Sequence, residues 1–375
     1  MTPYALTPQQ EQDQAAFAAW VDAHLVPEAD RWDREERLSD AVVARLGQDR
    51  LLVPTLPREA GGRDMDVETY GLLSEELGRG CGNVRNLVAV QGMVAHALLK
   101  WGTREQADRW VPRIGTGETV GAFALTEPGA GSDARNGAMT ARRTGAGFTL
   151  NGRKKWISFG QRAGIFLVFA QLDGEPAAFV VERGTEGFRT EPIGGLLGLR
   201  ASELAELVFD DCVVPEDHLV SHGRLTFDLL ATGSLDYGRY STAYGSVGLA
   251  QACLAASLAY ARERTQFGVP LGEHQLVRGM LTDMIASVEA ARLVCRQAGA
   301  LRARAHRDAV RQTLIAKYVA SRTGFRVASD AVQLHGANGV GPDYPVQRHL
   351  RDAKIQEIIE GTSQIQQLQI AELTL

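Results

Sequence analysis

Near the C-terminus, one carboxylate sits in a setting suited to chemistry: Glu360 follows the apolar pair Ile358-Ile359 and precedes Gly361-Thr362-Ser363-Gln364. Apolar neighbours desolvate a carboxylate, and this raises its proton affinity toward the range in which a general base works near neutral pH. A glycine beside it lets a ligand or another backbone approach closely. The same residues also spell a helix-end charge followed by a C-cap glycine. Other clusters in the chain bear on the choice.

The segment Phe123-Ala124-Leu125-Thr126-Glu127-Pro128-Gly129-Ala130-Gly131-Ser132-Asp133 leaves a strand for a glycine-rich turn. Its backbone N–H groups can cradle a flavin pyrimidine or a phosphate, although a tight hairpin loop reads the same way. It lacks the third glycine and the following helix of a dinucleotide fingerprint. In Asn151-Gly152-Arg153-Lys154-Lys155-Trp156-Ile157-Ser158, strand alternation puts Trp156 and Ser158 on one face. A planar cofactor can stack on that indole while Ser158 bonds its edge, the alternative being a core tryptophan. In Ala261 to Gln275, Arg264 stands at a helix end, placed for a pyrophosphate or for a solvated pair with Glu263. Gln333-Leu334-His335-Gly336-Ala337-Asn338-Gly339 is a helix stop whose backbone either meets the same phosphates or simply caps the helix.

Three blocks must position these residues. From Thr7 to about Gly115, apolar positions recur at helical spacing, as in Phe17, Trp20, Val21 and Leu25. Between Thr119 and about Pro215 they give way to short alternating or β-branched runs such as Ile165 to Phe169, with Asn151-Gly152 and Asp173-Gly174 read as turns. After Leu225, long Ala-rich helical periods return. The expectation is an α+β chain: an N-terminal α-helical domain over 1–118, a middle antiparallel β-sheet or barrel over 119–220, and a C-terminal four-helix bundle over 221–375.

A net charge of −5 across 375 residues gives no electrostatic footprint for nucleic acid. The cysteines Cys81, Cys212, Cys253 and Cys295 are scattered, and neither a disulfide frame nor a metal site is expected of them. Met1-Thr2-Pro3-Tyr4 and the polar residues after it lack the pattern of a secretory signal, and no apolar run reaches membrane-spanning length. A cytoplasmic protein without membrane or nucleic-acid partners is expected.

The four clusters and the terminal Glu-Gly-Thr-Ser-Gln run, in this order on a helix–sheet–helix plan, resemble the acyl-CoA dehydrogenase family of flavoproteins over nearly the whole chain. The resemblance implies FAD, with contacts from Phe123, Leu125, Thr126, Gly131, Ser132, Trp156, Ser158, Thr362 and Gln364. Arg264, Phe267, Gln275, Gln333, Gly336 and Ala337 match positions that embrace the cofactor from a neighbouring subunit of a homodimer or homotetramer. It further implies that Glu360 abstracts the α-proton of an acyl thioester while hydride passes from the β-carbon to flavin N5. Some members carry their base at a different position, which falls here on Gly238 and so cannot supply one. Electrons commonly pass on to an electron-transferring flavoprotein.

Arg85, at the start of a mostly apolar helix, falls where the family's acyl pocket lies, with Asn86, Ser132, Asp236, Arg239 and Gly361 as further substrate contacts. The Arg85 segment is similar to glutaryl-CoA dehydrogenases and to dehydrogenases that act on acyl carrier proteins in polyketide extender-unit biosynthesis. A simple fatty chain does not need that charge, since an unpaired buried guanidinium is costly; a solvent-facing Arg85 is the plain alternative. The resemblance therefore implies oxidation of a short hydroxylated or carboxylated acyl unit, at CH–CH or at CH–OH, on a carrier protein of secondary metabolism. The alternative is a short-chain or glutaryl-type acyl-CoA dehydrogenase of catabolism. A more remote one is a flavin-fold protein that binds acyl thioesters without catalysis.

Overall fold

Paired caps start the helical N-terminal block of the computed structural model, which describes residues 5–375. Met1 to Tyr4, read above as the start of a segment without the pattern of a secretory signal, lie outside the described residues. Thr7 accepts from the Gln10 N–H while the Gln10 side chain returns to the Thr7 N–H, a capping box that opens α1 (Pro8–His24). After α2 (Ala29–Glu35), α3 (Asp40–Gln48), α4 (Val67–Gly80) and α5 (Gly82–Trp101), the same device at Thr103 and Gln106 opens α6 (Arg104–Gly115). Helix α5 is buried over most of its length, as its apolar sequence requires.

The middle block is an eight-stranded sheet: β1 (Gly121–Ala124), β2 (Thr140–Thr144), β3 (Gly147–Ile157), β4 (Ile165–Leu172), β5 (Glu175–Glu182), β6 (Phe188–Pro192), β7 (Ala205–Val214) and β8 (Leu219–His222). Most pairings are antiparallel, but β1 and β2 each pair β4 in parallel, so the sheet is mixed where pure antiparallel pairing was expected. The Asp173-Gly174 turn joins β4 to β5 as read from sequence, with both residues at positive φ. Asn151-Gly152 does not turn. It lies inside β3, where the register against β7 shifts between Leu150 and Gly152, and Gly152 takes φ 141° there. The same permissive dipeptide serves a hairpin turn or a bulge, and here strand pairing on both sides selects the bulge.

Three long helices, α7 (Thr232–Glu263), α8 (Gln275–Ala303) and α9 (Ala309–His335), are followed by the short α10 (Val346–Gln356) and α11 (Ser363–Glu372). A small hairpin of β9 (Thr265–Gln266) and β10 (Val269–Pro270) separates α7 from α8. The expected four-helix bundle is thus three long helices with two short ones laid against them, and α4 and α5 of the N-terminal block also pack on α7. Glycines permit the approach of α4: a Cβ on Gly78 would lie 2.5 Å from the Gly245 Cα, and one on Gly248 would lie 2.8 Å from the Arg79 nitrogen. Close packing of α4, α5 and α7 brings the N-terminal block up to the end of α10. The carboxylate singled out above sits in that junction.

Candidate active site

Helix α10 stops at Gln356, and Glu360 and Gly361 form the turn before α11, whose N-cap is Thr362. Both turn residues are left-handed, Glu360 at φ 56° and Gly361 at φ 90°. For glutamate this conformation is costly, and it persists only where surrounding contacts enforce it. Three side chains do so. Arg239 Nε donates to the Glu360 carbonyl at 2.9 Å, Lys317 Nζ donates to the Gly361 carbonyl at 2.7 Å, and Gln366 Nε2 donates to both at 3.1 Å.

The Glu360 carboxylate faces Gly238 of α7, where a Cβ would come within 2.5 Å of its carboxyl carbon. Its Oε2 is shielded from solvent and has no hydrogen-bond partner among the described residues. The residue as a whole remains partly exposed, so the site is approachable beside a desolvated acid. Burial lifts the carboxyl to about 7, against the opposing pull of the nearby Arg239, Arg85 and Lys317 cations. That places it where a general base is poised at neutral pH. The helix-end alternative does not describe a residue held this way.

Arg85 is 1% exposed and lies inside α5 facing α7, which overturns the solvent-facing alternative. Its guanidinium donates to Thr242 Oγ1 at 3.2 Å and Gln356 Oε1 at 3.1 Å, and Gly245 leaves room for its stem. No carboxylate pairs with it among the described residues; burial pulls it down to about 10 while Glu360 and Tyr70 act the other way. Asn86 donates to Ser158 Oγ at 3.4 Å and Ser202 Oγ at 3.2 Å, tying α5 to the sheet. Asp236 is engaged by Arg302 of α8 through an ion pair, with its Oδ1 unpartnered.

Trp156 is 52% exposed, so it is not a core tryptophan. It does not share a strand face with Ser158 by alternation either: Trp156 is at φ 61°, the β3 register shifts between Lys154 and Ile157, and Ser158 lies past the strand end. The bulge turns the indole outward, and the Lys155 N–H bonds the Thr126 carbonyl at 2.9 Å, which joins the Trp156 segment to the Phe123–Asp133 turn. Beneath them Lys154 Nζ, buried, bridges the Leu125 carbonyl at 3.0 Å and Glu127 Oε1 at 2.7 Å. A Cβ added at Gly129 or Gly131 would meet nothing within 4 Å, so the turn is open beside Ser132, which is exposed. An outward indole next to an open turn of backbone donors fits a planar, polar-edged ring such as a flavin. Thr362 and Gln364 line a separate cleft with Tyr318, Arg322 and Lys354.

The second group of residues gathers elsewhere. Arg264 caps α7, Phe267 is 96% exposed at the hairpin tip, and Gln275 begins α8. Tyr260 stacks on His335 and its hydroxyl accepts from Asn338, which ties this end of α7 to Gln333, Gly336 and Ala337. Arg264 forms no ion pair with Glu263 among the described residues.

Sequence reasoning missed Lys317. It lies 44 positions before the carbonyl it bonds, and no local pattern marks it. Burial pulls its ammonium down to about 7 while Glu360 acts to raise it. Lys317→Met removes a cation that favours the ionised base and one of three donors holding the turn. The acidic limb of the kcat/KM profile should move to higher pH, with roughly a tenfold loss at pH 7; an unmoved limb assigns Lys317 to packing alone. Gly238→Ala tests the opposing wall. The clashing atoms belong to the flexible end of Glu360, so Tm should hold while the displaced base costs about tenfold in kcat.

Three family models describe the chain: acyl-CoA dehydrogenase N-terminal domain over residues 7–118, middle domain over 122–212, and C-terminal domain over 229–375. The chain belongs to the acyl-CoA dehydrogenase family, whose members are FAD-dependent oxidoreductases acting on CH–CH bonds. It is 36% identical to the mitochondrial short-chain specific acyl-CoA dehydrogenase of Bos taurus over 358 residues, 94% of this chain and 86% of that protein. Among solved structures it resembles glutaryl-CoA dehydrogenase from Mycobacterium smegmatis, with TM-score 0.95, 30% identity and coverage of 99% and 95% of the two chains. A second structure of a glutaryl-CoA dehydrogenase from that organism is a complex with FADH2. FkbI, described for biosynthesis of the methoxymalonyl extender unit of a polyketide, matches with TM-score 0.86 and 32% identity over 96% of this chain and 99% of its own. No helix among the described residues is long and apolar enough to cross a membrane.

Proposed function

We propose that the chain dehydrogenates a short acyl-CoA at its α and β carbons, with Glu360 as the base and a carboxylated acyl group, of the glutaryl type, as the preferred substrate. The observation that carries this reading is the desolvated Glu360 carboxylate held opposite Gly238, with Arg85, which forms no ion pair among the described residues, nearby. Glu360 takes the α-proton onto its carboxylate. The Glu360 N–H, which donates no backbone hydrogen bond among the described residues, is available to the thioester oxygen as negative charge gathers there. When bound, FAD supplies the two-electron acceptor for the β-hydrogen, and the product is the α,β-unsaturated thioester. Trp156, Ser158, Thr126 and the open Gly129 to Ser132 turn would hold its ring, with Thr362 and Gln364 beyond. Arg264, Phe267, Gln275, Gln333, Gly336 and Ala337 would serve the site of a second copy, which suits an apolar Phe267 left uncovered at a hairpin tip. An electron-transferring flavoprotein would take up the electrons.

The comparisons favour this acyl-CoA reading over the carrier-protein one, whose support is the likeness to FkbI. Anaerobic flavin bleaching decides the matter. Glutaryl-CoA and butyryl-CoA should bleach the oxidised flavin band, with glutaryl-CoA acting faster. Bleaching by a short hydroxyacyl carrier protein and by neither CoA ester would overturn the proposal.

A further inference from the structure

The open turn beside Trp156 leaves the sheet and returns to it through a neck closed by charge. Glu127, where the chain departs after β1, turns its carboxylate back across the loop: Oε2 accepts from the Ala138 N–H at 2.6 Å and Oε1 from the Met139 N–H at 3.1 Å, immediately before β2. One side chain therefore joins the two ends of the excursion. From β3, Lys154 Nζ completes the closure by donating to Glu127 Oε1 at 2.7 Å and to the Leu125 carbonyl at 3.0 Å. Both groups are buried, Lys154 at 2% exposure and Glu127 at 7%, and Gly137 leaves the carboxylate its place, since a Cβ there would lie 2.6 Å from Oε1. Beyond the neck the loop is held more loosely. Arg135 pairs with Asp228, Asn136 donates to Asp133 and Gln171 donates to the Arg135 carbonyl, all of them exposed contacts of the kind that contribute little.

A buried ion pair is not what stability alone calls for, because well-packed apolar side chains of the same volume serve as well or better. Its distinct contribution is direction. Charge-assisted bonds are short and oriented, and here they fix the main chain at Leu125, Ala138 and Met139 while the Lys155 N–H fixes Thr126. We infer that Lys154 and Glu127 are positioning residues for the cofactor: the pair locks both ends of the loop over 127–139 onto β3 and thereby aims the backbone donors of Gly129 to Ser132 before FAD arrives. This rests on the placing of the flavin ring against Trp156 and that turn. Preorganised donors bind without an ordering cost, so a neutral neck should give a looser cofactor site in an otherwise folded chain.

The test compares FAD release from the holoenzyme, read by the rise in flavin fluorescence on dilution, in variants shown to be folded by circular dichroism. Lys154→Met alone strands a buried carboxylate, so the decisive protein is the double variant Lys154→Met with Glu127→Gln, which removes both charges together. Its FAD dissociation constant should rise at least tenfold. Its flavin midpoint potential should also fall, because N–H groups no longer aimed at the pyrimidine stop favouring the reduced ring, and a change in packing away from the ring does not move that quantity. Should the double variant fail to fold, Gly137→Ala keeps both charges and pushes the carboxylate off the neck, and it should weaken FAD binding severalfold. Trp156→Ala separates the ring placement from the positioning role: release faster than wild type supports the placement, whereas release at the wild-type rate overturns the placement and the positioning role with it. With the placement upheld, a folded double variant or a Gly137→Ala protein that keeps wild-type FAD affinity and potential overturns the positioning role alone.

Discussion

Glu360→Gln should lower the rate of anaerobic flavin reduction by any productive thioester about a thousandfold or more while leaving FAD bound, the upper part of the range for loss of a positioned general base. Glutamine keeps the size of the side chain and cannot accept the α-proton at neutral pH. The backbone contacts that hold the turn, from Arg239, Lys317 and Gln366, all end on main-chain carbonyls and survive the substitution. Stability should change little or rise, because a buried carboxylate without a hydrogen-bond partner on Oε2 becomes a neutral amide. Equal reduction rates in variant and wild type would remove Glu360 as the base. The pH profile of the wild type carries the same assignment: with the carboxyl lifted to about 7, the deprotonated base is lost as pH falls through 7, so kcat/KM should rise with pH across the range 6 to 8. A carboxylate of ordinary affinity would leave the profile flat there.

The order of helices, sheet and helices was legible because hydrophobic periodicity changes from near four to two and back, and burial of one face enforces that period. Glu360 is singled out in the sequence by its apolar flank and its glycine, yet Ile358 is 50% exposed and the carboxylate is enclosed by α7 at Gly238 instead. What the chain hid were features made by pairing across distance. Asn151-Gly152 carries the chemistry of a turn, but β3 stays paired with β7 before and after it, and with β2 on its other edge, which converts it to a bulge. The bulge before Ile157 then breaks the alternation on which the Trp156 and Ser158 face was argued, and this is what turns the indole to the surface. Lys317 and Gly238 reach Glu360 from α9 and α7, and no window of sequence contains both a wall and the group it confines. Glycine in a helix lowers helix propensity, and at Gly238, Gly245 and Gly248 on α7 the structure supplies the cause, close approach by Glu360, Arg85 and α4.

Arg85→Ala should separate substrates by their distal charge: activity on glutaryl-CoA should fall roughly a hundredfold or more, and activity on butyryl-CoA only a few fold. The guanidinium is buried and bonded to two neutral acceptors, Thr242 Oγ1 and Gln356 Oε1, with no carboxylate pairing it among the described residues. Charge left in that state is a cost to the folded protein, and a carboxylate arriving with the substrate offsets it through a charge-assisted bond worth about 2 to 3 kcal/mol. That interaction is missing with butyryl-CoA, whose methyl end leaves Arg85 as it stands in the free enzyme. The substitution also removes a cation that favours ionised Glu360, so the base should hold its proton to higher pH in the variant with both substrates. The two effects are separable, since loss of distal recognition changes the ratio between substrates and loss of the cation moves the pH limb equally for both. A hundredfold loss shared by glutaryl- and butyryl-CoA, with the limb displaced, would confine Arg85 to tuning the base and return the substrate to a plain short chain.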